Sequence, residues 1–406
     1  MSEKKKFPPV EEQLGRILRG SVDLISEKEL RQRLEESRRS GRPLRVKLGI
    51  DPSSPDIHVG HTVVLRKLRV FQELGHLPVL IWGSATAMLG DPEGRDRTRP
   101  QLTRAEVQEN LETYKAQISK VIDVDDMEHR ENSEWFDEMD FMGSVSLLSR
   151  MTVARAIERD SFEKRMGEGL PVGLHEVVYP LMQGWDSVEV RASVELGGTD
   201  QLFNLLVGRD LQQQEGQAPQ VCLTTPLIEG LDGTQKMSKS LDNYIGLTDE
   251  PGEMYGKVMS VPDALMEKYF LLLTDVGEPE TAALLRGHPR DAKARLAQEI
   301  VTWLHGEGAA SKAAGEFDRV FRERGLPEEI PEFALPEDCL KDGTALVMIA
   351  AQRAGLTASS SEARRLMPQG GLKVDGEPVT DSKAILGRGR YLFQVGKRRF
   401  CWVRIP

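Results

Sequence analysis

Two short stretches of the chain carry residues able to handle a polyphosphate. The first is Asp51-Pro-Ser53-Ser-Pro-Asp-Ile-His58-Val-Gly60-His61, between a strand candidate and a helix candidate. His58 and His61 are three residues apart, so both fall on one side of a first helical turn, where free N–H groups and the helix dipole favour bound phosphate. Gly60 has no side chain to keep a bulky planar group off the backbone. Cationic or hydrogen-bonding imidazoles there can offset charge growing on a phosphoryl group. Two histidines also raise zinc, but metalloprotease ligation needs an i, i+4 pair around a Glu, whereas the residues between these two are Val and Gly. Structural or capping histidines are the plainer alternative for this segment alone.

The second stretch is Gly230-Leu-Asp-Gly233-Thr-Gln-Lys236-Met237-Ser238-Lys239-Ser240. A lysine is a compact charge on a long stem, suited to following a moving pyrophosphate. Glycines at the entrance permit a loop that closes over ligand. Read by itself, the segment is more simply a solvated lysine loop.

The elements that must hold these stretches follow from pattern. Arg45 to Ile50 reads as a strand stopped by Asp51-Pro52, and Pro78 to Trp82 as a second strand. Between them Ile57 to Leu74 reads as a helix with Val64, Leu68 and Phe71 on its apolar stripe and Arg66, Lys67 and Arg69 facing elsewhere. Strand, helix, strand predicts a parallel α/β sheet with its ligand site beyond the strand ends. Helical signals continue through Thr103 to Lys120 and Ser146 to Arg165, and Val194 to Leu196 and Val221 to Leu223 look like later strands. From Pro262 to Arg324 the pattern is helical, with Ala292, Leu296, Ile300 and Trp303 forming a stripe that packs a core. Pro327, Pro331 and Pro336 mark a linker, after which a helix capped by Ser359 or Ser360 leads into short strands at Leu372 to Val374, Tyr391 to Val395 and Phe400 to Ile405.

Charge divides the 406 residues unevenly: Ala351 to Pro406 holds eleven Lys/Arg against four acids, on a chain whose formal net charge is -10. An acidic body thus carries a small basic module, although the chain as a whole is no basic nucleic-acid coat. Three scattered cysteines, Cys222, Cys339 and Cys401, exclude a disulfide scaffold and fit a reducing cytoplasm. The N-terminal stretch lacks an apolar run of signal-peptide length, and no segment approaches the roughly 20 apolar residues that span a bilayer.

His58-Val-Gly-His61 and Lys236-Met-Ser-Lys-Ser240 together resemble the two signatures of class I aminoacyl-tRNA synthetases. Tyr179-Pro-Leu-Met-Gln183-Gly-Trp-Asp186, followed by Gly198-Thr-Asp200-Gln201, resembles the tyrosyl branch in particular. The resemblance implies tyrosine activation by ATP and transfer to tRNA(Tyr), with His58, His61, Lys236 and Lys239 as the catalytic set. It implies that Gly49, Asp51, Ser53, Gly60, Thr86, Arg95, Arg99, Gly198, Asp200, Met237, Ser238 and Ser240 complete the ATP side. For tyrosine it implies Asp186 as acceptor of the phenol, Tyr179 and Gln183 as holders of the ammonium group, and Asp91 and Gln201 as their neighbours. A carboxylate left unpaired when phenylalanine enters gives rejection on the order of 10⁴ to 10⁵ without editing. ATP enters with Mg2+ as substrate, and no permanent metal or organic cofactor is expected.

Two positions depart from the pattern. Many tyrosyl enzymes place Tyr where this chain has Lys47, leaving Lys47 either to pair with Asp186 within the tyrosine site or to point away. The lysine loop has the general class I form, not the Lys-Phe-Gly-Lys-Thr often met in tyrosyl enzymes.

The tail from Thr357 to Gly376 resembles the S4 RNA-binding domain, which implies RNA contact through Arg364, Arg365 and Lys373, with Lys397, Arg398 and Arg399 adding phosphate-binding charge. The expected fold is α/β: a Rossmann-like parallel-sheet catalytic domain with its leader (1–248), a helical anticodon-side domain (249–325), a linker (326–344) and a small α+β S4-like domain (345–406). Family members are homodimers, and Val145, Leu147, Leu148, Met151, Val153 and Ile157 fit a core or an interface. The rival readings are a tryptophanyl enzyme, which shares much of the scaffold, and a non-catalytic RNA-binding protein retaining it.

Overall fold

The computed structural model describes residues 7–92, 102–321, 330–396 and 399–406, and the chain divides into two compact units, Met1–Glu307 and Gly308–Pro406. The first is built on a six-stranded sheet: β1 (Leu24–Ile25), β2 (Arg45–Ile50), β3 (Leu77–Trp82), β4 (Glu128–Glu131), β5 (Val194–Gly198) and β6 (Val221–Thr225), in the order β1-β6-β5-β2-β3-β4. β1 runs antiparallel to β6, and the other neighbours are parallel. Strands covered on both faces need continuous apolar runs, and Val79, Leu80, Ile81 and Trp82 of β3 are all buried.

The helix predicted from Ile57 spans Val59–Glu73 and buries Val63, Leu65, Leu68 and Phe71. Lys67 differs from expectation: it is buried, and its Nζ donates to the carbonyls of Ile17 and Arg19 at 2.6 Å each, closing the end of helix Val10–Leu18. The helical signal from Ser146 to Arg165 resolves into Phe141–Leu148, Val153–Ile157 and Asp160–Gly167, because Thr152 caps a new start by accepting from Arg155 N. β4, Glu-His-Arg-Glu, escaped the apolar pattern because an edge strand has no second neighbour to bury it and is kept polar. Helices Met266–Leu273, Glu278–Arg286 and Pro289–His305 follow, the last burying Ala292, Leu296 and Ile300. None of the described helices is long and apolar enough to cross a membrane.

The second unit begins within helix Glu307–Phe321 and carries β7 (Glu332–Ala334), β8 (Ala345–Leu346), β9 (Leu372–Val374), β10 (Glu377–Pro378), β11 (Ile385–Leu386), β12 (Gly389–Val395) and β13 (Arg399–Ile405). Five of these form one sheet, β10-β9-β12-β13-β7, and β8 pairs with β11. Its core joins Ala350, Ala363, Met367, Leu372, Phe393 and Val403.

Candidate active site

β2 and β5 are sheet neighbours from which the chain departs in opposite directions, β2 to β3 and β5 to β6. Beyond the carboxyl ends of strands at such a switch point a crevice opens. Here it is a cleft of about 230 Å³, lined from β2 by Gly49, Ile50, Asp51 and Ser53, from β3 by Ile81 and Gly83, and from β5 by Gly197, Gly198 and Gln201. Thr86, Asp91, Tyr179, Gln183, Asp186 and His61 reach the same space. Residues predicted from three distant segments therefore converge.

Asp186 is buried on helix Leu174–Glu189. Trp135 Nε1 donates to its Oδ1 at 3.1 Å, and Asn132 Nδ2 lies 3.5 Å from Oδ2. Burial pushes the Asp186 carboxyl up to about 7, against the pull of nearby Lys47, Trp135 and Asn132. Asn132 cannot turn, because its Oδ1 accepts from Ala85 N at 2.8 Å and its Nδ2 donates to Thr86 Oγ1 at 3.0 Å. Thr86 Oγ1 in turn donates to Asp51 Oδ1 at 2.7 Å, and Tyr179 OH donates to Asp51 Oδ2 at 2.9 Å. Asp51 fits only because residue 83 is Gly: a Cβ there would stand 1.9 Å from Asp51 Oδ1. A Cβ at Gly49 meets no atom of the described residues within 4 Å, and Gly49 lines the cleft.

A second chain of bonds sets the glutamines. Asn204 Nδ2 donates to Gln183 Oε1 at 2.8 Å and Gln201 Oε1 at 2.9 Å, while Gln201 Nε2 donates to Asp91 Oδ2 at 2.7 Å. Arg159 Nη2 holds the other Asp91 oxygen at 2.7 Å.

Lys47 is where the structure corrects the sequence. It is fully buried and does not pair with Asp186; its Nζ donates to Glu195 Oε1 and Ser187 Oγ at 2.8 Å and to the Gln183 carbonyl at 2.7 Å. Its side chain follows the inward pleat of β2 to β5, where Glu195 sits directly opposite in register. All three ammonium protons are spent on protein acceptors, so Lys47 supports the floor of the pocket instead of reaching substrate.

At the other end, His58 and His61 open the helix Val59–Glu73 with ring centroids 3.9 Å apart, and His58 N donates to His61 Nδ1 at 3.2 Å. A Cβ on Gly60 would come within 2.9 Å of His58 Nδ1, an atom sealed from solvent and unpartnered among the described residues. Burial, His61 and the two loop lysines drive His58 down to about 2. Desolvation lowers His61 to about 4, opposed by its hydrogen bond with the His58 backbone and helped by the two loop lysines. Both rings are therefore neutral at pH 7, donors or acceptors of hydrogen bonds and not cations. Positive charge comes from Lys236, exposed, and from Lys239, whose Nζ meets Asp56 Oδ2 at 3.2 Å.

The lysine loop is pegged from within. Asn243 Oδ1 accepts from Ser238 N at 2.7 Å, and Asp232 Oδ1 accepts from Thr234 N and Gln235 N at 2.8 Å each. Met237 is buried, with its N–H on the Ile228 carbonyl, and Ser238 and Ser240 share a 2.9 Å hydroxyl contact. Gly230 is required because a Cβ would lie 2.2 Å from the Asn243 carbonyl. Asp200 sits in the turn Thr199–Gln201 after β5. Arg95 and Arg99 lie outside the described residues.

Asn132, Trp135, Arg159, Asn204 and Asn243 were missed by sequence reasoning. Asn132 and Trp135 stand three apart beside a polar strand, the one local hint; the others take meaning only from distant partners.

In the second unit, Arg364 and Arg365 stand exposed on helix Ser360–Leu366, whose opposite side buries Ala363; Lys373 is half-buried on β9. Arg399 is exposed and lies 3.7 Å from Glu362. Lys397 and Arg398 lie outside the described residues.

The model of the class I tRNA synthetases of the tryptophan and tyrosine type matches residues 39–322, and the chain belongs to that family. Within it the likeness is to the tyrosine enzymes. The chain is 52% identical to the tyrosine–tRNA ligase of Symbiobacterium thermophilum, covering 97% of this chain and 98% of that one. It is 50% identical to the tyrosine–tRNA ligase of Moorella thermoacetica, over 96% and 95%. In fold it resembles a C-terminally truncated mitochondrial tyrosyl-tRNA synthetase from Aspergillus nidulans, with a TM-score of 0.62 at 23% identity over 79% of this chain and 95% of that one.

Proposed function

We infer that the protein activates L-tyrosine with ATP, forming tyrosyl-adenylate and pyrophosphate, and transfers tyrosine to the 3' end of tRNA(Tyr): the reaction of a tyrosine–tRNA ligase. The observation that carries this reading is Asp186, a buried carboxylate braced by Trp135 and Asn132 in a cleft that His61 also lines, with His58 against His61 and the charges of Lys236 and Lys239 felt by both rings.

Tyrosine carboxylate is already ionised, so attack on the ATP α-phosphorus needs positioning and charge stabilisation more than a protein base. The carboxylate-to-phosphorus bond forms as the α,β-anhydride bond breaks, and the electron pair leaves with pyrophosphate. Neutral His58 and His61 serve as hydrogen-bonding groups toward the nucleotide, and Lys236 and Lys239 supply the positive charge that meets the β- and γ-phosphates. Mg2+ enters with ATP and shares that neutralisation. Phenol donates to Asp186, while Tyr179, Gln183, Asp91 and Gln201 face the ammonium group. In the second step a ribose hydroxyl of the terminal adenosine attacks the activated carbonyl and AMP leaves.

Arg364, Arg365, Lys373 and Arg399 offer an S4-like surface to structured RNA. Phe141, Met142, Val153 and Leu174 are 79%, 65%, 77% and 87% exposed, apolar area of the kind that marks an interface, and a homodimer covers it. Light scattering that finds a stable, active monomer overturns the dimer.

Pyrophosphate exchange tests the activity: tyrosine supports it, whereas tryptophan and phenylalanine do not. Exchange with tryptophan moves the protein to the other branch of the family, and exchange with no amino acid leaves a non-catalytic RNA-binding protein.

A further inference from the structure

A second cavity, of about 320 Å³, lies in the first unit and shares no lining residue with the active-site cleft. Its walls are the end of helix Val10–Leu18, the outer face of helix Val59–Glu73, and the end of helix Met266–Leu273 with the turn after it. Five cations, Arg16, Arg19, Arg66, Lys67 and Arg69, line it against two carboxylates, Glu73 and Asp275. Both carboxylates are taken, Glu73 by Arg16 and Arg69 and Asp275 by Arg66.

Arg19 and Lys67 are left without a carboxylate among the described residues. Arg19 Nη2 donates to the Val276 carbonyl at 2.7 Å, but its Nε, sealed from solvent, has no acceptor among the described residues. Lys67 is 6% exposed and, among the described residues, bonds only the Ile17 and Arg19 carbonyls. Carbonyl dipoles satisfy donors without cancelling charge, and a buried unneutralised cation is costly. The ammonium group is accordingly driven down to about 8 by burial, with Arg19 adding repulsion.

We propose that this cavity binds a small polyvalent phosphate anion, of the pyrophosphate or phosphate-ester class, at a site separate from catalysis. Cationic donors converge from two helices, Arg16 and Arg19 at the end of one and Arg66, Lys67 and Arg69 along the other, a spread that a tetrahedral, many-oxygen anion can meet together and a planar carboxylate cannot. The volume, on the order of ten waters, admits more than one phosphate group, and Val63, Val70 and Leu271 give it an apolar side for the rest of an ester.

Pyrophosphate also meets the lysine loop, so the test removes that competitor. Calorimetric titration of pyrophosphate into the Lys236→Ala/Lys239→Ala double variant, saturated with a non-hydrolysable tyrosyl-adenylate analogue, is expected to show one saturable site per chain. Arg19→Gln should weaken it about tenfold, the scale of one charge-assisted contact. Glu73→Gln should tighten it severalfold by freeing Arg16 and Arg69, a direction that damaged folding does not produce. Absence of saturable binding, or binding indifferent to both substitutions, overturns the proposal. So does an Arg19→Gln effect confined to tRNA binding, which assigns the surface to RNA.

Discussion

The two ends of the active-site cleft are built on opposite plans. At the amino-acid end, Trp135 and Asn132 hold Asp186 in a run of hydrogen bonds that continues through Thr86 to Asp51 on the ATP side, and Asn204 ties Gln183 to Gln201 in another. At the phosphate end Lys236 is exposed, His61 opens on the cleft and Gly49 leaves its backbone bare. The first plan fixes acceptors before substrate arrives, which is how a site rejects an analogue lacking one hydroxyl. The second keeps charge on long stems, which suits phosphates that shift position and depart as the reaction proceeds.

The sharpest break in that contrast is Asp186→Ala. It removes the phenol acceptor and leaves Trp135 and Asn132 donors unpaired, so kcat/KM for tyrosine should fall by about 10³-fold or more in pyrophosphate exchange. A pH profile sharpens the assignment. Burial raises the Asp186 carboxyl to about 7, and the protonated form is the weaker acceptor for a phenol O–H. kcat/KM for tyrosine should therefore fall as pH drops through about 7 in the unsubstituted enzyme, and that inflection should vanish in Asp186→Ala. His58, held near 2, titrates far outside this window. An inflection that survives the substitution refutes Asp186 as its source.

Beneath the same pocket, Lys47→Met leaves Glu195 buried without its counter-ion and should cost about 3 to 5 kcal/mol of stability, measured by urea unfolding. Lys47→Met/Glu195→Gln removes both charges and should recover most of that loss, because Gln183, Ser187 and Gln220 already bond around the Glu195 carboxylate. If the double variant is as unstable as the single one, the pair is not what holds the floor.

The same contrast explains how much was legible in sequence. Phosphate-end chemistry sits in local motifs, His58 to His61 and Lys236 to Ser240, where spacing alone brings the groups together. The parallel sheet was legible too, because β3 is an apolar run and β2 is stopped sharply by Asp51-Pro52. β4 was not, since its Glu-His-Arg-Glu carries no apolar signal. Lys47 was left open between pairing with Asp186 and pointing away, because one strand in isolation does not reveal that Glu195 lies opposite it across the sheet. Arg159 and Asn204 are similar cases: one grips Asp91 from 68 residues away and the other joins two glutamines, links that exist only after folding.

Lys239→Ala tests the open end, with a smaller expected effect. Among the described residues its Nζ is held only by Asp56 at 3.2 Å, on side chains 26% and 48% exposed, a contact an incoming phosphate can displace at little cost. Losing one charge aimed at developing phosphate charge should slow adenylate formation by about 10²-fold, while tyrosine affinity stays nearly intact because none of the bonds around Asp186, Gln183 or Gln201 involves the loop. Stopped-flow measurement of adenylate formation against tyrosine concentration separates the two quantities. A rate left unchanged, or a tyrosine affinity lost together with the rate, would mean that the two ends are not independent and that the lysine loop helps build the amino-acid pocket.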